Sequence, residues 1–305
     1  MPKRGGFFLV CTRPQTRLWL LVAAGTILMP FISGCGSHYV LLHPAGPVAR
    51  RELDLTVYAA VTMAVIVAFV IALLILTLIR YRDRPNNPHA YTPEWHDHRL
   101  MESLWLIIPA VVLAAVAIPT VKTTYALARL PKGSHPLVID VTSLNWKWMF
   151  EYPDQHIATV NYIEIPTRRP VLFELTADSP MNAFWIPELG GMEYTMSGRV
   201  LPLWLEADRQ GLFWGRSAQF SGIDFEKMLF HVRAVSTPSF NAWTAHIRHS
   251  KPAMTLDTYH RLLRFNTVGV EEYSSYPRSA FPSTTHGFGL SGGMYPVMSN
   301  HPQKN

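Results

Sequence analysis

The chain has 305 residues, of which 49% are hydrophobic and 16% charged, with a formal net charge of +6. Its Lys and Arg residues are scattered without a basic stripe, which argues against a nucleic-acid partner and favours membrane-topology signals. With only Cys11 and Cys35, a disulfide framework is also excluded. The length leaves room for a membrane hairpin and one soluble domain of ordinary size.

Residues 1–34 have the organisation of a bacterial lipoprotein signal peptide. A basic beginning precedes the apolar run Leu18–Phe31, which is too short to span a membrane comfortably. The run ends in Ile32-Ser33-Gly34-Cys35, and small residues before a Cys resemble a lipobox, in which the Cys is lipidated after cleavage. We therefore predict lipid attachment at Cys35, outside the cell. The alternative is a short first membrane span with an incidental Cys.

Two uncharged runs predict a transmembrane hairpin. After a linker at 35–54, residues 55–79 contain no charge and no Pro, and they exceed the about 20 residues that cross a bilayer core. A buried helix of a soluble protein is the alternative, but such helices rarely run so long without a polar face. Residues 103–121 form the second span. The arginine-rich connection at 80–102 favours the cytoplasmic side, and an external Cys35 gives the same orientation.

From Leu137 the pattern changes to the alternation of β-strands, and it continues to residue 248. Turn residues separate the short strand-like runs, which predicts an antiparallel sandwich or barrel. The predicted strands are Asn145–Phe150, Thr159–Ile165, Pro170–Thr176, Phe184–Ile186, Leu203–Glu206, Gly211–Trp214 and Met228–Val235. Residues 249–305 form a C-terminal extension, weakly helical up to Arg264 and predicted to be largely irregular after Phe265.

Four stretches carry a family resemblance. They are 145–153 (NWKWMFEYP), 158–166 (ATVNYIEIP), 181–190 (MNAFWIPELG) and 215–222 (GRSAQFSG). Together with the lipobox and the hairpin, they resemble subunit II of the bacterial haem-copper ubiquinol oxidases of the cytochrome bo type. The resemblance runs from about residue 35 to about residue 249. It implies a two-helix transmembrane hairpin, an external all-β cupredoxin-like sandwich of Greek-key topology (137–248) and a partly helical C-terminal extension.

One site separates the two branches of this family. The branch that oxidises cytochrome c holds a dinuclear copper centre with an upstream His and a C-x-E-x-C-x3-H-x2-M loop, because soft thiolates bridge copper ions well. At the matching positions this chain has two serines, two amides, a phenyl ring and one thioether. They are Asn182, Ser217, Gln219, Ser221, Phe225 and Met228. The resemblance therefore implies no metal here, because a single thioether does not hold copper against water.

The resemblance also implies the partners and the cofactors. The chain would be a non-haem accessory subunit of a proton-pumping quinol oxidase in the bacterial inner membrane, with the β domain and both mature termini outside. Haems, copper and quinone would belong to subunit I, none would be bound by this chain, and membrane lipids and other subunits would surround it. A free-standing lipoprotein with a metal-free binding domain is the alternative. A copper-containing cytochrome c oxidase subunit is disfavoured by the missing cysteines.

Three further residues have roles that the resemblance suggests. Glu102 lies at the cytoplasmic head of the second span, where the family has a Glu near a proton-uptake path, and carboxylates at membrane depth often mark such routes. The alternative is a carboxylate that favours the positive end of the helix dipole. Trp146 and Trp148 lie in the region that receives electrons in the copper branch, and without copper we interpret both as packing residues.

Overall fold

The computed structural model describes residues 39–82 and 98–277. The chain divides into two compact units, Met1–His43 and Pro44–Asn305. In the first unit, the described residues contain a single 3-10 turn, Val40–Leu42, with exposed apolar side chains. The predicted signal peptide at 1–34 and the lipid-attachment residue Cys35 lie outside the described residues, so both stay predictions.

The second unit begins with a helical hairpin made of α1 (Pro47–Arg80) and α2 (Arg99–Leu127). Within the described residues, these are the two helices long and apolar enough to cross a membrane. The Tyr58 hydroxyl on α1 donates a hydrogen bond to the Ala115 carbonyl on α2 at 3.1 Å. The predicted spans 55–79 and 103–121 lie inside these helices.

Both helices extend beyond the predicted membrane spans. Residues 47–54, assigned to a linker, form the first turns of α1, because Pro47 occupies the first helical position, where its fixed φ favours a helix. Val48 and Ala49 are buried there, and Arg50 forms an ion pair with Asp208 of the β domain at 2.7 Å. Similarly, residues 99–102 of the predicted loop belong to the first turn of α2. Polar and charged residues can therefore extend a membrane helix beyond its apolar run.

The rest of the second unit contains a two-sheet sandwich. The strands are β1 (Leu137–Leu144), β2 (Lys147–Tyr152), β3 (Ile157–Val160), β4 (Tyr162–Pro166), β5 (Val171–Ala177), β6 (Asn182–Trp185), β7 (Met192–Thr195), β8 (Leu201–Leu205), β9 (Gly211–Ser217), β10 (Leu229–Val235) and β11 (Glu271–Tyr273). One sheet has the strand order β11-β3-β2-β1-β5-β8 and the other has the order β4-β10-β9-β6-β7.

Two details of the sandwich differ from the prediction. The sheets are mixed, because β1 pairs with β5, and β4 with β10, in parallel. The expected strand Thr159–Ile165 is divided at Asn161, which has a positive φ of 56° that Asn tolerates better than most residues. Its side chain accepts a hydrogen bond from the Trp148 N–H at 2.9 Å and donates one to the Val268 carbonyl at 2.9 Å. The chain therefore passes from one sheet to the other at Asn161.

Aromatic rings fill the space between the sheets. Phe184 and Phe230 are stacked with centroids 5.0 Å apart, and Trp148 meets Phe184 edge to face at 5.3 Å. Trp148 is fully buried, in agreement with its interpretation as a packing residue. Gly215 on β9 provides room for this cluster, since a Cβ there would lie 2.0 Å from the Phe230 ring.

The chain after β10 begins with α3 (Thr237–Ser250), whose side chains Phe240 and Ile247 lie in the main core. The C-terminal extension that follows contains α4 (Leu256–Leu262) and β11, and it packs on the outer face of the first sheet. Within the region after Phe265, predicted to be largely irregular, residues 271–273 form β11, which pairs with β3 in antiparallel register. Residues 278–305 lie outside the described part of the chain.

A second, smaller core joins this extension to the sheet. Its buried members are Leu144, Met149, Ala158, Val160, Met254, Tyr259, Leu262 and Tyr273. The fully buried Lys147 donates hydrogen bonds to the Leu262 and Arg264 carbonyls at 2.8 Å and to Asn266 Oδ1 at 3.0 Å. A cation that binds the carbonyls at a helix end is a favourable arrangement, so Lys147 holds the end of α4 against the sheet.

Candidate functional site

The positions that correspond to copper ligands in the other branch converge at one end of the sandwich. Asn182 is the first residue of β6, Ser217 is the last residue of β9, and Met228 immediately precedes β10. Because β6 and β9 run antiparallel, the beginning of one strand lies beside the end of the other. The loop 218–227 connects Ser217 to Met228 at this same end.

Asn182 and Ser217 form a direct contact in the interior. The Ser217 hydroxyl donates a hydrogen bond to Asn182 Oδ1 at 3.3 Å and lies 3.1 Å from the Gln219 carbonyl. The exposed fractions are 1% for Asn182 and 2% for Ser217, so both polar groups depend on protein partners.

Three more small polar side chains complete a network around Asn182. Its amide Nδ2 donates to Ser179 Oγ at 3.3 Å, to Ser143 Oγ at 3.4 Å and to the Pro180 carbonyl at 2.9 Å. Thr195 Oγ1 donates to Ser143 Oγ at 2.9 Å. The network therefore joins residues of β1, β6, β7 and β9 at the end of the sandwich. Ser143, Ser179 and Thr195 were not predicted as part of the site, because the sequence has no signal that separates them from other strand and turn residues.

The other aligned positions have different surroundings. The Met228 side chain belongs to the main hydrophobic core and is 1% exposed. Phe225 packs against Phe220 with ring centroids 5.7 Å apart. The Ser221 hydroxyl is buried without a hydrogen-bond partner among the described residues, while its carbonyl accepts a bond from Trp146 Nε1 at 3.1 Å. Met228 remains beside Ser217, because its carbonyl accepts a hydrogen bond from the Ser217 backbone N–H at 3.2 Å.

The chemistry of these side chains does not fit a dinuclear copper centre. Such a centre needs two bridging thiolates with imidazole ligands, whereas the two serine positions offer neutral hydroxyls and Asn182 offers an amide. Asn182 and Ser217 also use their polar atoms in hydrogen bonds to each other and to their neighbours. In the ranges 39–82 and 98–277, no group of three or more His, Cys, Asp or Glu residues could hold a metal ion.

The loop beyond this network ends in an exposed apolar tip. Phe220 is 73% exposed and Ile223 is 90% exposed. Gly222 between them has a positive φ of 113°, and a Cβ at that position would lie 3.2 Å from the Trp146 ring. Trp146 is half-buried, and it contacts this loop through its hydrogen bond to Ser221 and through its ring beside Gly222. It therefore stabilises the loop, as expected for a packing residue. Here "the tip" means residues 220–223.

Glu102 lies far along the chain from this network, in the first turn of α2. Its side chain is exposed, and its backbone N–H donates to the His98 carbonyl at 3.1 Å. His98 is the N-cap residue, and its Nδ1 accepts a hydrogen bond from the Met101 N–H at 3.4 Å. A carboxylate in the first turn is favoured by the helix dipole, which agrees with the simpler of the two interpretations of Glu102.

Two family models match the chain. The transmembrane domain of cytochrome c oxidase subunit II matches residues 38–123, and the periplasmic domain of the same subunit matches residues 155–235. The first covers the helical hairpin and the second covers most of the sandwich. The two-part organisation predicted from the sequence, a transmembrane hairpin with an external domain, is thus confirmed.

Curated relatives match over most of the chain. It is 43% identical to quinol oxidase subunit 2 of Bacillus cereus over 82% of this chain and 87% of the relative. It is 38% identical to quinol oxidase subunit 2 of Bacillus subtilis over 84% of this chain and 81% of the relative. The solved periplasmic domain of subunit II of cytochrome oxidase from Bradyrhizobium japonicum aligns at 23% identity with a TM-score of 0.37, over 38% of this chain and 95% of that chain.

Proposed function

Because this chain belongs to the subunit II family of haem-copper quinol oxidases, we propose that it is the non-haem accessory subunit of such an enzyme. The complex would couple quinol oxidation and the reduction of oxygen to water with proton pumping. In this proposal the reacting groups belong to subunit I, while this chain stabilises the complex and supplies its external domain.

One observation supports quinol over cytochrome c as the electron donor. The end of the sandwich that would hold copper is occupied by the hydrogen-bonded pair Asn182 and Ser217, with Ser143, Ser179 and Thr195 around it. Without thiolates at these positions, this end of the sandwich offers no centre that could accept an electron from cytochrome c, since hydroxyl and amide groups are not redox-active. Electrons would therefore reach subunit I from quinol in the bilayer.

The exposed tip supports a role in assembly. Side chains as apolar as Phe220 and Ile223 are costly to leave in water when they cluster on a loop, and such clusters commonly mark protein contacts. Trp146 holds the tip by a hydrogen bond to Ser221, so the tip is presented in a defined conformation. We assign the tip as a contact to another subunit of the oxidase.

Three further assignments rest on the sequence. We propose that the 80–102 connection is cytoplasmic, that residues 35–54 and 122–305 are external, and that Cys35 carries a lipid. The mass of the mature N-terminal peptide tests the last point, and an unmodified Cys35 would refute it. We also propose that Glu102, exposed at the start of α2, helps protons to reach an uptake path in subunit I.

Co-purification tests the proposed function directly. An affinity tag on the full chain should bring a large haem-bearing subunit from detergent-solubilised membranes, with quinol oxidase activity in the eluate. Recovery of the chain without haem or oxidase activity, under conditions in which the oxidase itself remains intact, would instead support a free-standing lipoprotein.

A further inference from the structure

Three carboxylates lie side by side on the outer face of the first sheet. Asp140 on β1 stands opposite Glu151 on β2, and on its other side it is in register with Glu174 on β5. Directly opposite residues of an antiparallel pair have Cβ atoms about 4.5–5.5 Å apart, and like charges at that separation destabilise a sheet. Protonation of one or more members relieves this repulsion.

Glu151 is the most deeply buried member of the row. It is 1% exposed, and both carboxyl oxygens are buried without a hydrogen-bond partner in the described part of the chain. Burial and the neighbouring charge of Asp140 raise the pKa of Glu151 to about 8. Burial and the charge of Glu174 raise the pKa of Asp140 to about 7. Glu151 is thus mostly protonated near neutral pH, and Asp140 is partly protonated there.

The C-terminal extension covers Glu151. The covering segment, residues 251–276, contains α4 and β11 and contributes Tyr259, Leu262 and Tyr273 to the smaller core. On the sheet side that core includes Met149 and Ala158, which lie on the same face as Glu151, since Ala158 is its partner on β3. The burial of Glu151 therefore depends on the covering segment being in place.

We infer that the carboxylate row is a proton-binding site that controls this covering segment. When Glu151 is protonated, it is an uncharged neighbour of the smaller core and the segment stays closed. When Glu151 loses its proton, a charge without a hydrogen-bond partner lies beneath the segment, and opening the segment returns that charge to water.

The direction of the pH dependence follows from the pKa of Glu151. Its pKa is higher in the closed state than the ordinary value of 4.5, so the closed state binds more protons at intermediate pH. The ratio of closed to open protein should therefore be greatest below about pH 4.5 and should fall as the pH rises towards 8. Each proton released on opening changes that ratio by about tenfold per pH unit.

Three other ionisable groups around the segment keep their charge state in this window. Desolvation and Arg261 lower the pKa of Lys147 to about 8, so Lys147 remains cationic below that pH. The hydroxyl of Tyr259, whose pKa is raised by burial, stays neutral and donates to Asp178 at 2.8 Å. The ion pair with Arg261 lowers the pKa of Glu271, which is thus ionised throughout. The exposed imidazole of His260 also belongs to the segment, so variants of Glu151 are needed to attribute the pH dependence to the carboxylate row.

Hydrogen exchange of the full-length protein in detergent tests the inference. Exchange of peptides from residues 251–276 would be measured between pH 5 and 7.5 and corrected with an unstructured peptide for the intrinsic pH dependence. We expect protection of this segment to fall by about tenfold or more per pH unit. Protection of β10 should stay constant, because opening is local. A segment whose corrected protection does not change with pH, or falls only together with β10, would overturn the inference.

Variants of Glu151 separate the row from other titrating groups. Glu151→Gln and Glu151→Met lack the titrating group. In both variants, the fall in protection of residues 251–276 with rising pH should be smaller by about a factor of ten per pH unit, and the segment should stay closed at pH 7.5. Asp154→Asn is the matched control, because it removes an exposed carboxyl from the turn that follows β2. It should retain the slope of the unaltered protein. An unaltered slope in both Glu151 variants would also overturn the inference.

Discussion

The Ser217 hydroxyl donates a hydrogen bond to Asn182 Oδ1 at 3.3 Å, between the end of β9 and the beginning of β6. In the copper-containing branch of the family, the aligned positions carry a thiolate and an imidazole that bind metal. Here the same two strands are joined by a hydroxyl and an amide, both almost fully buried. We interpret the contact as a structural replacement, since it connects the strands that the metal would otherwise join.

The first prediction concerns the stability that Asn182 provides. Asn182→Ala removes the acceptor of Ser217 and the donor to Ser143, Ser179 and Pro180, and leaves buried polar groups unpaired. The free energy of unfolding should decrease by about 1–3 kcal/mol, measured by denaturant unfolding of the purified full chain. Asn241→Ala, the same change at an exposed position of α3, is the control and should have little effect. Equal stabilities of the two variants would contradict the structural role of the network.

The second prediction concerns Gly215. Gly215→Ala places a Cβ within 2.0 Å of the Phe230 ring, which is stacked on Phe184 and has little room to move. We expect a loss of about 1–3 kcal/mol from overpacking, measured by the same unfolding experiment. Gly211→Ala on the same strand is the matched control, because its Cβ would meet nothing closer than 3.5 Å. If Gly215→Ala is no less stable than Gly211→Ala, the described core packing is incorrect.

The third prediction concerns the exposed tip. Phe220→Ala and Ile223→Ala should each weaken the association with the haem-bearing subunit by about fivefold or more, the usual effect of losing an apolar anchor. The measurement is the haem retained per tagged chain during washes of increasing detergent concentration. Leu256→Ala, at a 51% exposed position of α4, is the control. Retention equal to that of the control in both tip variants would show that the tip is not a subunit contact.

The fourth prediction concerns Glu102. Glu102→Gln keeps the shape of the side chain and removes its titrating group. Losing an acid–base group at a rate-limiting transfer costs about 10²- to 10⁴-fold, but water can bypass a group at the mouth of a path, so we expect a smaller, partial loss of quinol oxidation. Glu102→Asp should recover part of the rate with normal haem content. Unchanged turnover in Glu102→Ala, with the complex intact, would leave Glu102 as a helix-end carboxylate.

Much of this architecture could be predicted from the sequence, because the signals were local. An uncharged run longer than a bilayer predicted α1, and the alternation around Trp148 and Phe150 predicted β2. The division of a strand at Asn161 could not be predicted, because it depends on hydrogen bonds to Trp148 and Val268 that form only in the folded chain. The strand β11 was missed for the same reason, since three residues acquire strand structure only by pairing with β3.

The site was predicted in part. Alignment to a ligand pattern identified Asn182 and Ser217, which form a direct side-chain hydrogen bond. It also included Phe225, whose ring packs against Phe220, and Met228, whose side chain lies in the main core. Residues that pair through the fold, such as Ser143 and Thr195, have no sequence signal, because isolated serines and threonines are common in strands and turns. The burial of Lys147 and Glu151 likewise could not be predicted from the sequence. Both lie in a strand whose outer face would be exposed without the extension that covers it.

Oxygen uptake by the purified complex tests the central claim most directly. The complex containing this chain should consume oxygen when supplied with ubiquinol and should show no uptake above background with reduced cytochrome c. The reason is that this subunit offers hydroxyl and amide groups where the cytochrome c-oxidising branch has copper ligands. Rapid oxygen uptake with reduced cytochrome c, abolished when this subunit is removed, would contradict the account.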